Sequence, residues 1–304
     1  MDERLLTRRD AIKKAALAGF LLPLAGSAPG LGAAEAEPQG RPAAAAPGLT
    51  LGLAGYSLRK FPTDAAIAVL KELQITSIAV FKVHVPIQLS TPEVCREMAQ
   101  KFRSAGISIA ATGVVYLDKS EGTMRKAFEC GRAAGLTTMT ASYANPPDRD
   151  TFLLTERFVR EYDMRLAFHN HGPEDKIFPS PYDVWNAVQP YDERLGLCID
   201  VGHSARAGVD STEAILKCRS RLYDVHIKDT LSKAGDMKDK VVGLGFGRLD
   251  IRSIMAALLE IRFQGQVGLE DEVEGAADPV PGLAQSFGYM RGMLAALAPG
   301  RAPS

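Results

Sequence analysis

The sequence predicts a closed α/β barrel of the (β/α)8 class, folded as one domain behind an export segment. Three observations predict it. From Leu49 onward, short apolar runs alternate with helix-period segments eight times. Each strand-plus-helix unit takes about thirty residues, the length that consecutive units of a parallel barrel need. The turn after the first strand reads "GYSLRKFP", Gly55 to Pro62, without the glycine fingerprint that an open doubly wound sheet carries there.

The elements follow in order. "LTLGLAGYSL" reads as the first strand, with a helix over Thr63 to Leu73 that takes Thr63 as its cap. "SIAVFKVHVP" is the second strand, ending near His84, and the helix "TPEVCREMAQKFRSAG" has Pro92 in its first turn and Gly106 past its end. "ISIAATGVVYL" is the third strand, followed by a helix over Glu121 to Ala134 that Gly135 closes. "TTMTASY" and a helix over Asp150 to Tyr162 form the fourth unit, and "RLAFHNH" with a helix over Pro181 to Val188 forms the fifth. "LGLCIDVGH" with Thr212 to Cys218, "LYDVHIKD" with Ile251 to Ile261, and "QVGLEDE" with Pro281 to Leu297 complete the eight. The glycines of "GLGFG", Gly243 to Gly247, follow no strand directly and are weak evidence for a nucleotide site.

Ahead of the barrel, "TRRDAIKKAALAGFLLPLAG" has a basic stretch and then an apolar segment of signal-peptide length, too short for a confident membrane span. The pair Arg8–Arg9 resembles a twin-arginine export signal, so residues 1–36 are expected to be a signal peptide and the destination the periplasm. Residues 37–48, rich in Ala, Pro and Gly, read as a linker, 49–298 as the barrel and 299–304 as a tail. Thirty-six basic residues balance thirty-six acidic ones, with no basic stripe, which argues against a nucleic-acid partner. No membrane contact is expected after cleavage, and a homo-oligomer is left open. Cys95, Cys130, Cys198 and Cys218 form no CxxC pair and read as buried or half-buried single residues.

The chain has five histidines, and all fall at or beyond the carboxyl ends of predicted strands, where barrels of this class place their chemistry. His84 ends the second strand, His169 and His171 the fifth; His203 follows the sixth, and His226 lies late in the seventh. Asp200 ends the sixth strand, and Glu270 and Glu272 end the eighth two residues apart, hence on one face. His226 shares strand parity with Asp224 and Lys228. A mixed imidazole and carboxylate shell suits one divalent ion, Mn²⁺ first, with Co²⁺, Zn²⁺ and Fe²⁺ as alternatives, and suits Ca²⁺ poorly.

"CIDVGH", "DVHIKD", "GLGFGRLDI" and "GLEDE" together resemble the xylose isomerase-like TIM barrels, among them sugar isomerases, epimerases and endonuclease IV. The resemblance runs from about Leu49 to Leu297. In the epimerase branch it implies a metal held by a strand-five Glu, a strand-six Asp, a strand-seven His and a strand-eight Glu, with the two glutamates moving protons on opposite substrate faces. Asp200, His226 and Glu270 match those positions, and His203 matches a substrate-binding histidine. The fifth strand departs: Glu-Asn-His becomes His169-Asn170-His171. His169 is expected as the fourth ligand, with Glu174 in the following loop as the alternative. His171, His203, Lys228 and Glu270 are then candidates for proton transfer and charge stabilisation, and His84, His203, Lys228 and Glu272 for contacts to substrate. The expected activity is proton transfer next to a carbonyl of a small sugar. β-Elimination of 3-keto-glycosides and a non-catalytic sugar-binding or partner subunit are the rivals.

Overall fold

Runs dense in β-branched and small apolar residues form strands that are buried on both faces, as a parallel sheet covered by helices requires. A computed structural model describes residues 48–275 and 278–298. The expected signal peptide, all of the linker but its last residue, and the tail lie outside the described residues. The strands are β1 (Thr50–Ala54), β2 (Ser77–Val80), β3 (Ser108–Thr112), β4 (Val115–Leu117), β5 (Thr138–Tyr143), β6 (Arg165–His169), β7 (Leu195–Asp200), β8 (Leu222–Ile227) and β11 (Gln266–Leu269). They pair in parallel in the order β3-β2-β1-β11-β8-β7-β6-β5-β4. All residues of β5 and β7 are buried.

Nine strands make eight staves, because the expected third strand is broken. β3 pairs with β2, and β4 pairs with β5. Gly113 sits at the break, where an added Cβ would lie 3.0 Å from the Phe81 ring. The Thr112 hydroxyl spans the interruption, donating to the Thr140 carbonyl (3.0 Å) and accepting from the Thr140 N–H (3.0 Å). The ring of staves is thereby nearly closed.

Outside it run α1 (Thr63–Glu72), α2 (Pro92–Ser104), α3 (Glu121–Ala133), α4 (Arg149–Tyr162), α5 (Pro181–Val188), α6 (Val201–Arg206), α7 (Ser211–Cys218), α8 (Ile251–Glu260) and α9 (Val280–Leu297). α2 shows how they pack: it buries an apolar stripe of Cys95, Ala99 and Phe102, at helical spacing. Gly106 and Gly135 close α2 and α3 with φ of +77° and +76°, a region costly for other residues. Two details differ from the sequence reading. Pro62, not Thr63, caps α1, because the Thr63 hydroxyl instead donates to the His84 carbonyl. α6 is an additional helix, started by the Asp200 carboxylate, which accepts the His203 N–H at 2.9 Å.

The Gly-rich stretch is also explained by the fold. The antiparallel pair β9 (Asp229–Thr230) and β10 (Val241–Val242) carries the buried Asp229, whose carboxylate accepts the N–H groups of Gly245, Gly247 and Leu249 at 2.9–3.1 Å. The loop wraps a protein carboxylate of its own rather than a phosphate.

Candidate metal centre

The carboxyl ends of four neighbouring staves carry the cluster. His169 is the last residue of β6, Asp200 the last of β7, His226 lies near the end of β8, and Glu270 follows β11, where its N–H donates to the Ile227 carbonyl (2.9 Å). Register sets Asp200 beside His226. His169 Nε2 lies 3.1 Å from His226 Nδ1 and 3.5 Å from Asp200 Oδ2, and His226 Nδ1 lies 3.4 Å from Glu270 Oε2. One donor atom from each of the four residues falls within 4.8 Å of every other, and all four residues are buried.

These separations fit a shared cation. Ligands about 2.1 Å from an ion stand roughly 3.0–3.4 Å apart in octahedral or tetrahedral arrangement. Asp200 Oδ2 is buried and has only the Lys228 ammonium (3.1 Å) and the His169 ring (3.5 Å) beside it among the described residues, which leaves room for a metal ligand's role. The charge fits as well. Lys228 Nζ lies 3.1 Å from Asp200 Oδ2 and 3.1 Å from Glu270 Oε2, and it also contacts Glu272. Three carboxylates against one ammonium leave two negative charges, which a divalent ion would neutralise. Burial, with His171 close by, lowers the His169 pKa to about 4, so this imidazole is neutral and able to ligate. Burial disfavours a charged His226 too, but Cys198, Glu270 and Asp224 outweigh it and hold its pKa well above the ordinary value. A cation would therefore displace a proton from His226 on binding.

Neighbours hold the ligands in place. His226 Nε2 faces Asp224 Oδ2 at 3.6 Å, and Thr140 Oγ1 donates to that same oxygen (2.6 Å), so Nδ1 is the nitrogen turned to the cluster. Asn170 ties β6 to β7: its Nδ2 donates to the Asp200 carbonyl (3.2 Å) and its Oδ1 accepts the Asp200 N–H (3.0 Å).

The other expected residues divide. His203, on α6, comes within 3.4 Å of Lys228 Nζ. Burial lowers the Lys228 pKa, but Asp200, Glu270 and Glu272 reverse this and hold it well above its usual value, so it stays an ammonium. Glu272, as its period-two spacing from Glu270 implies, reaches the same lysine. His171 stands next to the centre, 4.5 Å from the His169 ring between centroids; its Nδ1 lies 3.0 Å from Asp175 Oδ2 and its Nε2 3.4 Å from the Tyr116 hydroxyl. Glu174 is not the strand-five ligand in this geometry, because both its oxygens pair with Arg206 (2.6 and 2.8 Å). His84 does not join the site. β2 ends at Val80, and the fully buried His84 spends its ring on the Phe81 N–H and the Leu58 carbonyl, both at 3.3 Å. No ring nitrogen is left over for a substrate.

Sequence reasoning passed over Arg206, Asp175, Tyr116 and Thr140. Only Arg206 left a signal, three residues after His203 on one helical face. Beside the centre opens a cavity of about 670 Å³, lined by Glu174, His203, Arg206, Lys238, Lys240 and Glu272 among others.

A parallel barrel with a buried imidazole and carboxylate cluster at its carboxyl rim places its titratable groups where barrels of this class place their chemistry. The chain belongs to the xylose isomerase-like TIM barrel family, whose model matches residues 67–293. It is 31% identical over 132 residues to the rhizopine catabolism protein MocC of Rhizobium meliloti; that match spans 39% of this chain and 40% of MocC. Among solved structures it is similar to the IolI protein with a bound zinc atom, at 14% identity and a TM-score of 0.68, over 83% of this chain and 100% of that one. It is also similar to a D-tagatose 3-epimerase-like protein, at 13% identity and a TM-score of 0.65, over 82% of this chain and 98% of that one.

Proposed function

We propose that the protein is an exported, divalent-metal-dependent enzyme that moves a proton on the carbon next to the carbonyl of a sugar or keto-sugar. The observation that carries this reading is the convergence of His169, Asp200, His226 and Glu270 at one end of a xylose isomerase-like barrel. A divalent ion held there would place positive charge beside the carbonyl oxygen during deprotonation. Glu270, at the edge of the cluster and 7% exposed, removes and returns the proton. The Lys228 ammonium and the His203 ring, 3.4 Å apart beside the cluster, stabilise charge that develops on the substrate. His171 and Glu272 flank this space and contact the sugar hydroxyls.

An imidazole at the strand-five position changes the chemistry. Bound to an ion, His169 has no free lone pair with which to carry a proton. Exchange is therefore one-faced, which favours isomerisation, or β-elimination of a 3-keto-glycoside beginning with the same proton removal. Export through the twin-arginine route places the enzyme in the periplasm and its substrates among free or oxidised sugars. The test is to load the purified protein with Mn²⁺ or Zn²⁺, offer it keto-sugars and 3-keto-glycosides, and follow products by NMR. Failure to retain about one ion per chain, together with no turnover, would instead favour a non-catalytic sugar-binding or partner subunit.

A further inference from the structure

Among the described residues Arg206 is the bulkiest fully buried side chain, with 1% exposure, and its guanidinium ties two loops to its own helix. Nη1 donates to Glu174 Oε2 (2.8 Å) and to the Asp236 carbonyl (3.0 Å). Nη2 donates to Glu174 Oε1 (2.6 Å) and to the His171 carbonyl (3.0 Å), and it faces His203 Nδ1 at 2.8 Å. The packing against it is tight: a Cβ at Gly172, whose φ is +95°, would lie 2.5 Å from Nη2.

The last of these contacts has a chemical consequence. A guanidinium has donors and no acceptor, so Nδ1 of His203 must present its lone pair. Among the described residues the carboxylate paired with that nitrogen, Asp239 Oδ2, is 3.7 Å away, beyond hydrogen-bond reach. With Nδ1 unprotonated, the neutral ring carries its proton on Nε2. That nitrogen faces Lys228 Nζ at 3.4 Å, another all-donor group, which hydrogen-bonds Glu272 and lies 3.1 Å from Asp200 Oδ2 and from Glu270 Oε2. Two donors cannot satisfy one another. Among the described residues Nε2–H has no acceptor, and the ring that carries it lines the cavity beside the centre.

We infer that Arg206 is a positioning residue that sets the tautomer of His203, making Nε2–H a fixed donor which, with Lys228, receives the negatively charged oxygen of a deprotonated sugar carbonyl. The second half rests on the proton-transfer reading above; the tautomer does not. A donor already oriented at the place where charge develops needs no reorganisation during the reaction.

The zinc-loaded protein, labelled with ¹⁵N at histidine, tests this at neutral pH through long-range ¹H–¹⁵N spectra, with His203 assigned by its loss in His203→Asn. The expected signature is a pyridine-like Nδ1 and a pyrrole-like Nε2. In Arg206→Met the two shifts should move toward an average of tautomers, and Arg206→Lys, which retains a donor, should restore the original pattern. On a sugar that the panel accepts, Arg206→Met should lower kcat by about tenfold or more while changing KM less, since the oxygen it serves is charged only in the transition state. A protonated Nδ1 in the unmutated protein, or an Arg206→Met spectrum identical to it, overturns the inference. Should Arg206→Met fail to fold, the unmutated spectrum still decides. The expected tautomers with no sugar turned over would support the Arg206 assignment and count against the proton-transfer reading alone.

Discussion

His169 Nε2 and His226 Nδ1 stand 3.1 Å apart, with Asp200 and Glu270 beside them. Nitrogens so placed share a proton or a cation. The expectation is about one divalent ion per chain, lost in both Asp200→Ala and His226→Ala; elemental analysis checks it, and full occupancy in both variants would refute this ligand set. Asp224→Ala should weaken the ion by roughly 10- to 100-fold without removing a ligand, since the carboxylate only orients His226. Asp175 gives a pH signature. Burial would push it up, but His171 and the N–H groups of Ile177 and Phe178 bring its pKa to about 2. The folded value lies below the ordinary one near 3.9, so the stability this group contributes is present above that pH and is lost as pH falls toward the folded value. Discounted for partial exposure, the contribution is on the order of 1 kcal/mol. Asp175→Asn should flatten the acid limb of a stability-against-pH curve measured by urea unfolding; an unchanged limb would rule the contribution out.

At the scale of elements, the loop around Asp229 is the clearest case of sequence serving packing. A Cβ on Gly247 would lie 2.0 Å from Asp229 Oδ1, and the same carboxylate holds the Gly245, Gly247 and Leu249 amides. Neither the carboxylate nor the loop can retreat without leaving buried polar groups unpaired. Gly247→Ala should therefore cost about 2 kcal/mol or more, visible as a lower urea midpoint. A midpoint within error of the parent would mean that the loop adapts. The Thr112–Thr140 bridge and the Asn170 clamp follow the same logic: a side chain supplies a hydrogen bond where the strand ladder ends or lapses.

For the whole molecule, an oriented reaction face follows from the barrel. Glu270 enters from β11, and the stave at β6 offers His169 in place of a second carboxylate. Turnover of an accepted sugar in D₂O should place deuterium at the exchanging carbon with configuration retained. Rapid uptake with inversion would show a second proton carrier, for which His171 and Glu272 stand closest. The export proposal is tested separately: Arg8→Lys combined with Arg9→Lys should hold the protein in the cytoplasm with lysate activity intact, because the arginine pair is read by a receptor. Normal periplasmic delivery of the double variant would point to the general secretory route.

The barrel was legible because its signals are local. Strand runs bounded by caps and glycines depend on backbone preferences and burial within a few residues, and the residues ending the strands share one rim in any closed parallel barrel. His169, Asp200, His226 and Glu270 could therefore be grouped from the sequence, though they span about a hundred positions. His84 failed the same logic: β2 stops four residues before it, and the chain turns its ring inward onto Phe81 and Leu58. Contacts between loops had no periodicity to announce them. That Glu174 belongs to Arg206, and that the same guanidinium takes the Asp236 carbonyl, depends on how loops from different staves descend onto one another. Local preference places a residue on an element; which charged groups from separate loops neutralise each other is settled when burial forces each to find a partner within hydrogen-bond reach.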